Sequence, residues 1–447
     1  MVSEYDDLLG EKAPETSPEI PIPLNETQLL AKRIMRDHTF VTTTDNGELF
    51  WYNGKVYIPG QEWRIKEQCR QVVKTIKTHQ IQEVINYIKD TTYIDRSEFD
   101  KNPDIRNVAN GLLNLKTRLL EPHRSDYLSI VQLPIPYDPK AECKEIIKFL
   151  RDVLKQKDIG TIIRLIGYLL LPTYEYDIVV MLFGKGANGK STLLRLIVAF
   201  LGATNCSHRS LQQIDTDRFA VASLFGKMAN LFADLKSTRV SETGYFKMLS
   251  GRDPVPGEFK FKDAFYFINK AKLWFSANEI PESDDKSDAY YRRWRIFHLD
   301  KQFLKGNENT QLIKKLTTTE ELSGLLNMAL TGLNRLQRDG GFHDLDIEEI
   351  RRDYEMHTND VNAFIYEECI LDISNHDCRT LVTDVYSAYI NFCVRRGTRP
   401  VESNEFGRRL SKKGVLNHRH EFYGESEHYY DGIWLRKDLR EHGQGTL

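Results

Sequence analysis

Residues 183–192, FGKGANGKST, contain a complete G-x-x-x-x-G-K-S motif. Such a motif is typical of a phosphate-binding loop, because its glycines let main-chain N–H groups close around phosphate oxygens. An apolar run of strand length, residues 177–183, precedes the loop, and apolar residues at helical spacing follow it over 191–201. Strand, loop and helix in this order are the context that the motif requires. The stretch therefore predicts a nucleotide-binding α/β core.

The polar residues of the loop have separate predicted tasks. Lys190 would reach the β- and γ-phosphates, and the hydroxyl of Ser191 would bind Mg²⁺. The start of the following helix would add its positive dipole end. ATP and Mg²⁺ are therefore the predicted ligands. The predicted nucleotide-binding residues are Gly184, Gly186, Asn188, Gly189, Lys190, Ser191 and Thr192.

Composition and length narrow the class of protein. A chain of 447 residues predicts about two to four domains. No window approaches about 18 unbroken apolar residues, so we expect no membrane span. The six cysteines form no C-x-x-C pair, and no two histidines have zinc-finger spacing, so we expect reduced thiols of an intracellular protein. The net charge of −2 excludes a polycation but hides an acidic start, residues 1–28, and a basic stretch, residues 391–420.

Two later strand ends carry candidate catalytic side chains. Asp234 follows an apolar run in KMANLFADL, where a carboxylate can hold Mg²⁺ and activate the attacking water; the alternative is an Asp that caps a turn. Asn278 ends the strand-like run of KLWFSANEIP, where an amide can orient that water; the alternative is again a turn cap, before Pro281. Arg292 and Arg293, in YYRRWRIF, are either a solvated or ion-paired couple or the source of an arginine finger.

In this order, the motifs resemble those of the superfamily 3 helicases, in particular the helicase portion of phage, plasmid, archaeal and poxvirus primase-helicases. The matching stretches are GKGANGKST, NLFADL, FKMLSGRDPVPGEFKFKDAFYFINKAKLWFSANEIP and YYRRWRIF. Upstream, EVINYIKDTTYIDRSEFDKNPDIRNVANGLLNLKTRLLEPH resembles the domain that precedes the ATPase in that group. The resemblance implies an AAA+-like ATPase that assembles as a ring. The expected ring is a hexamer.

The resemblance also assigns roles to single residues. It implies that Asp234 is the acid of the second motif and that Asn278 is the first sensor. Arg293 is the best match to a finger acting on the neighbouring subunit, and Arg292 is the second. Many relatives have two consecutive acids in the second motif, whereas here Ala233 replaces the first. The division between metal binding and base catalysis at Asp234 therefore stays open.

The segment between the second motif and the sensor carries DNA contacts in the resembled group. Here it reads GEFKFKD, residues 257–263, and the alternation predicts a strand with Lys260 and Lys262 on one face. Lysines that project into a channel would bind a DNA backbone without reading its sequence. The alternative is an edge strand whose lysines discourage aggregation.

Near the end of the chain, a basic segment predicts a second DNA contact. In SNEFGRRLSKKGV, Ser403 is a candidate N-cap, and a short helix follows. Two strand-like runs around GESE come next, so the order of elements is that of a winged-helix module. The alternative is a solvated helix face in a protein-docking domain. The predicted DNA-binding residues here are Arg408, Arg409, Lys412 and Lys413.

Together these features predict an α/β chain with a P-loop AAA+-like ATPase core, a preceding α+β domain and a C-terminal winged-helix-like module. The expected parts are an acidic disordered tail (1–25), the α+β domain (26–150), the helicase core (151–305), a helical extension (306–360) and the winged-helix-like domain (361–447).

The expected function is that of an ATP-dependent replicative helicase on single-stranded and forked DNA. We expect it either to work with a separate primase or polymerase or to be a fragment of a fused protein. The expected setting is a prokaryotic cytoplasm, or viral or plasmid replication within a host cell. A small-molecule kinase and an ATP-controlled origin- or packaging-associated DNA-binding protein are the alternatives.

Overall fold

The structure is a computed structural model that describes residues 25–260, 264–303, 311–342, 346–375, 378–422 and 425–436. All but the last residue of the predicted acidic tail lie outside this range. The chain forms two compact units: the first ends at Lys101 and also contains Arg124–Ile130, and the second contains Asn102–His123 and the chain from Val131 onward. The division into five parts stays a prediction.

The first unit packs three helices against a four-stranded sheet of order β3-β2-β1-β4. Asn-Gly pairs at 46–47 and 53–54, between short β-rich runs, predict a three-stranded meander at about 40–58. The prediction is confirmed, since β1 pairs antiparallel with β2, and β2 with β3. Asn25 caps the first helix through a capping box with Gln28, which satisfies main-chain N–H groups of its first turn. Its elements are α1 (Glu26–Asp37), β1 (Phe40–Thr43), β2 (Leu49–Tyr52), β3 (Tyr57–Pro59), α2 (Glu62–Val72), α3 (Thr78–Thr91) and β4 (Tyr93–Ile94).

The second unit begins with a small antiparallel sheet and two helices, which lead into a larger α/β layer structure. The sequence NVANGLLNLKTRLLEPH predicts a strand, a turn and a strand, and KEIIKFLRDVL and IGTIIRLIGYLLL predict two amphipathic helices. These predictions are confirmed. Its elements up to the sensor strand are β5 (Ile105–Val108), β6 (Gly111–Asn114), β7 (Leu120–Glu121), α4 (Lys144–Val153), α5 (Gln156–Tyr168), β8 (Val179–Phe183), α6 (Lys190–Leu201), β9 (Cys206–Ser207), α7 (Leu211–Thr216), α8 (Arg218–Ala222), β10 (Ala229–Leu235), α9 (Gly244–Gly251), β11 (Pro254–Gly257), β12 (Phe265–Ile268) and β13 (Lys272–Ala277).

The rest of this unit is mainly helical, with short strands near the end of the chain. The remaining elements are α10 (Asp288–Tyr291), β14 (Trp294–His298), α11 (Leu312–Leu316), α12 (Thr319–Asp339), α13 (Ile347–Met356), α14 (Asp360–Glu368), β15 (Cys369–Leu371), β16 (Arg379–Leu381), α15 (Val382–Arg396), α16 (Ser403–Ser411), β17 (Leu416–Phe422), β18 (Glu425–Asp431) and β19 (Ile433–Leu435).

The central sheet of the second unit has the order β14-β8-β13-β10-β9, and every neighbouring pair is parallel. Helices cover both of its faces, so its middle strands are buried along most of their length and consist mainly of apolar residues. Every residue of β8 except Phe183 is buried, and every residue of β13 is buried. The carboxyl ends of all five strands meet at one edge, where the glycine-rich loop begins.

Two apolar cores lie on opposite sides of this sheet. One packs α4, α5, α6 and α12 against it, through residues such as Phe149, Leu165, Ile197 and Leu330. The other packs α7, α9, α10 and α13 against the other face. Helices α12 and α13, which fall within the predicted helical extension (306–360), are therefore part of the layers that pack on the sheet.

The C-terminal part packs around its own core, which includes Phe364, Tyr389 and Phe406. Two local predictions are wrong here. The pattern of residues 363–371 predicts a helix that continues to Leu371, whereas Cys369–Leu371 form β15, which pairs antiparallel with β19. Ser403 is the first residue of α16, and its N-cap is Glu402, which makes no side-chain capping bond.

Two expectations about the whole chain concern cysteines and membranes. All six cysteines are free and buried. Burial raises the pKa of the Cys69 thiol to about 11, which keeps it protonated near neutral pH. Within the described ranges, no helix has the length and apolar character needed to span a membrane.

Candidate functional site

The glycine-rich loop joins the carboxyl end of β8 to the first turn of α6. Gly186 and Gly189 have φ angles of 87° and 88°, a conformation that side chains rarely adopt. A Cβ on Gly184 would lie 2.6 Å from the main-chain oxygen of Leu299, so only glycine fits there. The buried Asn188 side chain donates to this same oxygen at 2.7 Å. Asn188 thus holds the loop against the chain that follows β14.

Lys190 is the first residue of α6, and its ammonium group is buried against neutral oxygens. It donates to the main-chain oxygen of Gly184 at 2.5 Å, to Asn188 Oδ1 at 2.9 Å and to Asn278 Oδ1 at 3.0 Å. Burial lowers the pKa of Lys190, and the negative charge of Asp234 opposes this shift. A buried cation held only by neutral acceptors favours the arrival of an anion. Ser191, next in the helix, is exposed, and Thr192 is half-buried.

A bulge at the end of β10 sets the direction of Asp234. The register against β13 shifts between Phe232 and Leu235, and Asp234 has a φ of 62°. Bulges beside functional sites commonly redirect a side chain, and Asp is one of the few residues that tolerates this conformation. The Asp234 main-chain N–H donates to the hydroxyl of buried Ser276 at 3.2 Å. Ser276 therefore helps to hold a carboxylate that is itself exposed to solvent.

Asn278 joins the predicted residues into one cluster. Its Oδ1 accepts from Lys190, and its Nδ2 donates to Asp234 Oδ1 at 3.2 Å. These three side chains come from the ends of three different elements, α6, β10 and β13. The structure thus brings together the lysine, the carboxylate and the amide that the sequence predicted.

Sequence reasoning missed Glu279, a second carboxylate at this site. A cavity of about 760 Å³ lies beside the loop and is lined by Lys185, Asp234, Asn278 and Glu279. Glu279 directly follows the sensor asparagine and is exposed. Its place directly after the sensor asparagine is the sequence signal that could have identified it, since Ala233 leaves no second acid beside Asp234. Ser191, Asp234 and Glu279 offer oxygen ligands of the kind that Mg²⁺ prefers.

The two candidate finger residues lie at the opposite edge of the sheet. β14 runs parallel to β8, so Trp294 lies beside Val179 and His298 beside Phe183. Arg292 and Arg293 precede β14, whereas the glycine-rich loop follows β8. Five residues of strand separate the two edges by about 16 Å. Neither arginine is therefore placed to reach the loop of its own chain.

Arg293 and Arg292 differ in their surroundings. Arg293 is buried; it donates to Ser250 Oγ at 2.9 Å and to the main-chain oxygen of Ala289. Burial lowers the pKa of its guanidinium, with the charge of Asp177 opposing. The Arg292 side chain is 56% exposed and approaches Asp177 at 3.4 Å. Arg292 is thus the more accessible of the two.

The predicted DNA-contacting strand is a hairpin with a different boundary. β11 and β12 pair antiparallel from Pro254–Gly257 to Phe265–Ile268. Lys260 is exposed in the connection between them, and Lys262 lies outside the described residues. A continuous strand over 257–263 was therefore wrong at 258–260. Phe259, just beyond the last paired residue of β11, stacks on Phe265 with ring centroids 5.3 Å apart.

The four basic residues near α16 do not form one free surface. Arg408 and Arg409 both pair with Glu405 of the same helix. Lys413 reaches buried Glu355 of α13 at 2.5 Å. Lys412 is exposed just after the helix. Surface pairs such as those of Glu405 are weak, so Arg408 can exchange its partner, whereas Lys413 is committed to the fold.

The fold and the site define an α/β protein with a parallel sheet, which gathers a lysine, a carboxylate and an amide at the carboxyl edge beside a glycine-rich loop. Residues 27–155 match the family described as D5 N terminal like. Residues 182–293, which hold the loop and most of the candidate site, match a family of unknown function, DUF5906.

Among curated proteins, the chain is 24% identical over 253 residues to "Putative helicase L207/L206" of Acanthamoeba polyphaga mimivirus. The match covers 54% of this chain and 26% of the mimivirus protein, so it spans about a quarter of that relative. Among solved structures, the apo A form of the NrS-1 C-terminal region has a TM-score of 0.51 at 11% identity, over 92% of this chain and all of that one. This last likeness concerns the fold alone. With the D5 N terminal like match and the mimivirus relative, the resemblance to the phage and viral primase-helicase group is confirmed.

Proposed function

We propose that this chain is the ATP-hydrolysing motor of a replicative DNA helicase, which acts on single-stranded and forked DNA as a ring-shaped homo-oligomer. The observation that carries the proposal is the cluster Lys190–Asn278–Asp234 beside the glycine-rich loop. The names of the relatives are consistent with this role, since the mimivirus protein is named as a helicase. A P-loop AAA+-like core supplies the expected fold.

The residues of the loop fit ATP with Mg²⁺. Positions 184, 186 and 189 need glycine, so main-chain N–H groups can approach phosphate oxygens closely. Lys190 would exchange its neutral acceptors for phosphate oxygens, which relieves the cost of burying its charge. Ser191 and Asp234 would hold Mg²⁺, which supplies neutralisation of charge at the transferred phosphoryl group.

The attacking water needs a base and an orienting group. Asn278 is bonded to both Lys190 and Asp234, so it can position a water between them. Asp234 and Glu279 are the two candidate bases. We assign metal binding to Asp234, which Asn278 already contacts, and proton abstraction to Glu279. With this division, Glu279 would supply the second carboxylate that Ala233 removes from the second motif.

Two surfaces are proposed to contact DNA. Lys260 at the β11–β12 turn, with Lys262, would contact the backbone of the strand in the ring channel, without sequence preference. The C-terminal part, as a winged-helix-like module, would place Arg408, Arg409 and Lys412 against a duplex. Lys413 is withdrawn from that set, because its charge is already paired with Glu355.

A neighbouring subunit is proposed to complete each ATP site. Arg292 is exposed at the edge of the sheet remote from its own loop, so it can act only on another copy. A primase or polymerase would act as a separate partner. The expected setting is a prokaryotic cytoplasm, or a host cell in which viral or plasmid DNA is replicated.

A second candidate is an ATP-controlled DNA-binding assembly without unwinding. Ala233 favours it, because the position that carries an acid in many members of the resembled group cannot abstract a proton here. Under this alternative, ATP would hold subunits together and turn over negligibly.

The test is ATP hydrolysis with and without single-stranded DNA, together with unwinding of a forked duplex. Under the helicase proposal, DNA raises turnover, Lys190→Ala abolishes it, and Lys260→Ala keeps basal turnover but loses the stimulation. Lys157→Ala, which removes an exposed lysine from α5, is the matched control and should change nothing. Turnover that ignores DNA in every variant would overturn the helicase proposal. Assembly that needs ATP, with negligible turnover, would favour the second candidate.

The assignment of Glu279 has its own control in the same cavity. Glu279→Gln should lower turnover at least about 100-fold while ATP still binds, since general-base catalysis contributes about 10²–10⁴-fold. Glu282 also lines the cavity, but its carboxylate accepts from Asn359. Glu282→Gln should therefore keep most of the turnover. Equal losses in both variants would contradict the assignment.

A further inference from the structure

Two histidines and an aspartate converge on one face of the C-terminal hairpin. His418 Nδ1 lies 2.8 Å from Asp431 Oδ2, and His420 Nε2 lies 3.2 Å from Asp431 Oδ1. All three donor atoms lie within 4.8 Å of one another. The two histidines are in β17 and the aspartate is in β18, so the cluster joins two strands.

The strand geometry explains why these side chains meet. Alternate residues of a strand point to the same face, so the H-x-H pattern places both imidazoles on one side. In the register of the hairpin, Leu416 lies opposite Asp431, and His418 lies opposite Tyr429. Asp431 is therefore a diagonal neighbour of His418, and His420, which lies opposite Glu427 on the same face, reaches the other oxygen of Asp431 with its Nε2. Because β17 and β18 are neighbours in one hairpin, no long loop is needed to bring the three side chains together.

We infer that His418, His420 and Asp431 form a binding site for one divalent transition-metal ion, with Zn²⁺ as the best match. Two imidazoles and one carboxylate are a usual ligand set for zinc, with a water in the fourth position. The side chains are 55%, 27% and 20% exposed, so an ion can enter and keep a water ligand. Each imidazole would present one nitrogen to the ion and carry its proton on the other.

A second cluster of the same composition shows what distinguishes this site. His298, Asp353 and His357 also bring donor atoms within 4.8 Å. There, His357 Nδ1 donates to the main-chain oxygen of Asp353 at 2.8 Å, and Phe183 packs on both rings at 4.5 and 5.5 Å. That nitrogen is occupied by a bond within its own helix turn, and the rings are held by packing. We therefore assign this second cluster a structural role.

The ion would stiffen the hairpin that the winged-helix proposal places beside DNA. β18 pairs with β17 on one side and with β16 on the other. An ion that bridges His418, His420 and Asp431 would fix β17 to β18 independently of their main-chain bonds. The metal site does not depend on ATP hydrolysis, so it can be tested whether or not the helicase proposal holds.

The experiment is zinc titration of the full chain, prepared without a histidine tag and freed of metal by a chelator. Calorimetry gives the stoichiometry and affinity, and Co²⁺ in place of Zn²⁺ gives an absorption spectrum that reports its ligands. The variants are His418→Ala, His420→Ala and Asp431→Asn. His428→Ala is the matched control, because its ring lies on the same hairpin but bonds to Asn417 instead.

We expect one Zn²⁺ per chain, at least about tenfold weaker binding in each ligand variant, and unchanged binding in the control. Zinc should raise the Tm of the wild-type chain and leave that of the double variant His418→Ala/His420→Ala unchanged. Absence of zinc binding by the wild-type chain would overturn the inference. So would zinc binding that survives in the double variant, and loss of that binding in His357→Ala would then place the ion at the other cluster.

Discussion

Asp215 of α7 is a buried carboxyl group with an unfavourable charge. Burial raises its pKa to about 7; the charge of Glu242 adds to the shift, and the main-chain N–H of Phe246 opposes it only in part. Within the described chain, neither oxygen makes a hydrogen bond of ordinary geometry. In the unfolded chain the pKa of this carboxyl is near 3.9, so as pH rises the unfolded state loses the proton before the folded state does. Stability therefore falls between about pH 4 and pH 7.

Replacing the acid with its neutral amide tests this directly. Asp215→Asn should leave the free energy of unfolding nearly unchanged at pH 4.5 and raise it by a few kcal/mol at pH 8, at about 1.4 kcal/mol for each unit of pKa difference. Urea unfolding at both pH values measures the difference. Asp217→Asn, at the exposed N-cap of α8, should change little at either pH. An equal effect of Asp215→Asn at both pH values would contradict the argument.

At this scale, the sequence predicted the residue types of the candidate site better than their partners. Lys190, Asp234 and Asn278 could be found because each ends or follows a strand, and strand ends meet at one edge of a parallel sheet. The bulge that turns Asp234, and the support from Ser276, could not be predicted, since the register between β10 and β13 depends on packing across the sheet. The ion pair of Lys413 with Glu355 joins residues far apart in the sequence, so no local sequence pattern predicts it.

At the scale of elements, α5 and α12 pack at glycine contacts. A Cβ on Gly332 of α12 would come within 3.0 Å of the Ile163 main chain in α5, whereas a Cβ on Gly160, one turn earlier in α5, meets nothing within 4 Å. Gly332→Ala should therefore destabilise the chain by about 1–3 kcal/mol through overpacking. Gly160→Ala, in the same helix pair, should stabilise it by about 0.5–1 kcal/mol, because alanine favours the helix. Thermal unfolding measures both, and a loss of stability in Gly160→Ala would contradict the open space at that position.

A second element-scale feature is the junction of α13 with the C-terminal part. Glu355 of α13 accepts from Lys413 at 2.5 Å, from Tyr291 at 2.8 Å and from Tyr366 at 2.9 Å, while Lys286 lies 3.6 Å away. Burial alone would raise the pKa of this carboxyl, but Lys413 and the Tyr291 hydroxyl outweigh it and lower the pKa to about 2. The stabilisation is present above the unfolded pKa of about 4.3 and is lost as pH falls toward 2.

Removal of the Glu355 carboxylate takes away the acceptor of the half-buried Lys413 ammonium group and of the Tyr291 and Tyr366 hydroxyls. Glu355→Ala should cost about 3–5 kcal/mol of stability at pH 7. Its control is Glu405→Ala, which removes surface pairs with Arg408 and Arg409 and should cost about 0–1 kcal/mol. Denaturant unfolding compares the two, and the difference between them should shrink on acidification toward pH 3. Similar costs for both variants at pH 7 would contradict the role of Glu355.

Element types were predictable where periodicity was long and one-sided, as in α6 or the buried run of β13. The alternation over 257–263 misled, because a short alternating run does not decide where a strand ends, and the described pairing of β11 with β12 ends at Gly257. The helix end near 369 was also misplaced. There, pairing of β15 with β19 outweighs the local helical pattern.

At the scale of the whole molecule, composition could not give the boundary of the first unit. Arg124–Ile130 returns to that unit after a detour through the second. Its ties are long-range: Tyr57 donates to the Ser125 main-chain oxygen at 2.6 Å, and Ser129 donates to Asp100 at 2.7 Å. A linear division at a single residue cannot represent a chain that leaves a unit and comes back.

The proposed ring makes a prediction that only mixed subunits can test. Arg292→Ala should lower DNA-stimulated turnover about 10³-fold or more, the usual contribution of an arginine finger. Lys190→Ala subunits are inactive in their own sites but keep Arg292. In a mixed ring, such a subunit can complete the intact site of an Arg292→Ala neighbour. The mixture should therefore hydrolyse ATP well above the sum of its two components.

The control separates this rescue from a general effect of mixing. Arg292→Ala subunits mixed with the double variant Lys190→Ala/Arg292→Ala should stay inactive, because no subunit then carries the arginine. Arg293→Ala should behave differently: its guanidinium is bonded to Ser250 and Ala289, so its loss should lower the Tm, and mixing should not restore it. If the first mixture shows only the sum of its parts, Arg292 does not act between subunits. If Arg293→Ala is rescued by mixing while Arg292→Ala is not, Arg293 is the finger and must leave its buried position when the ring forms.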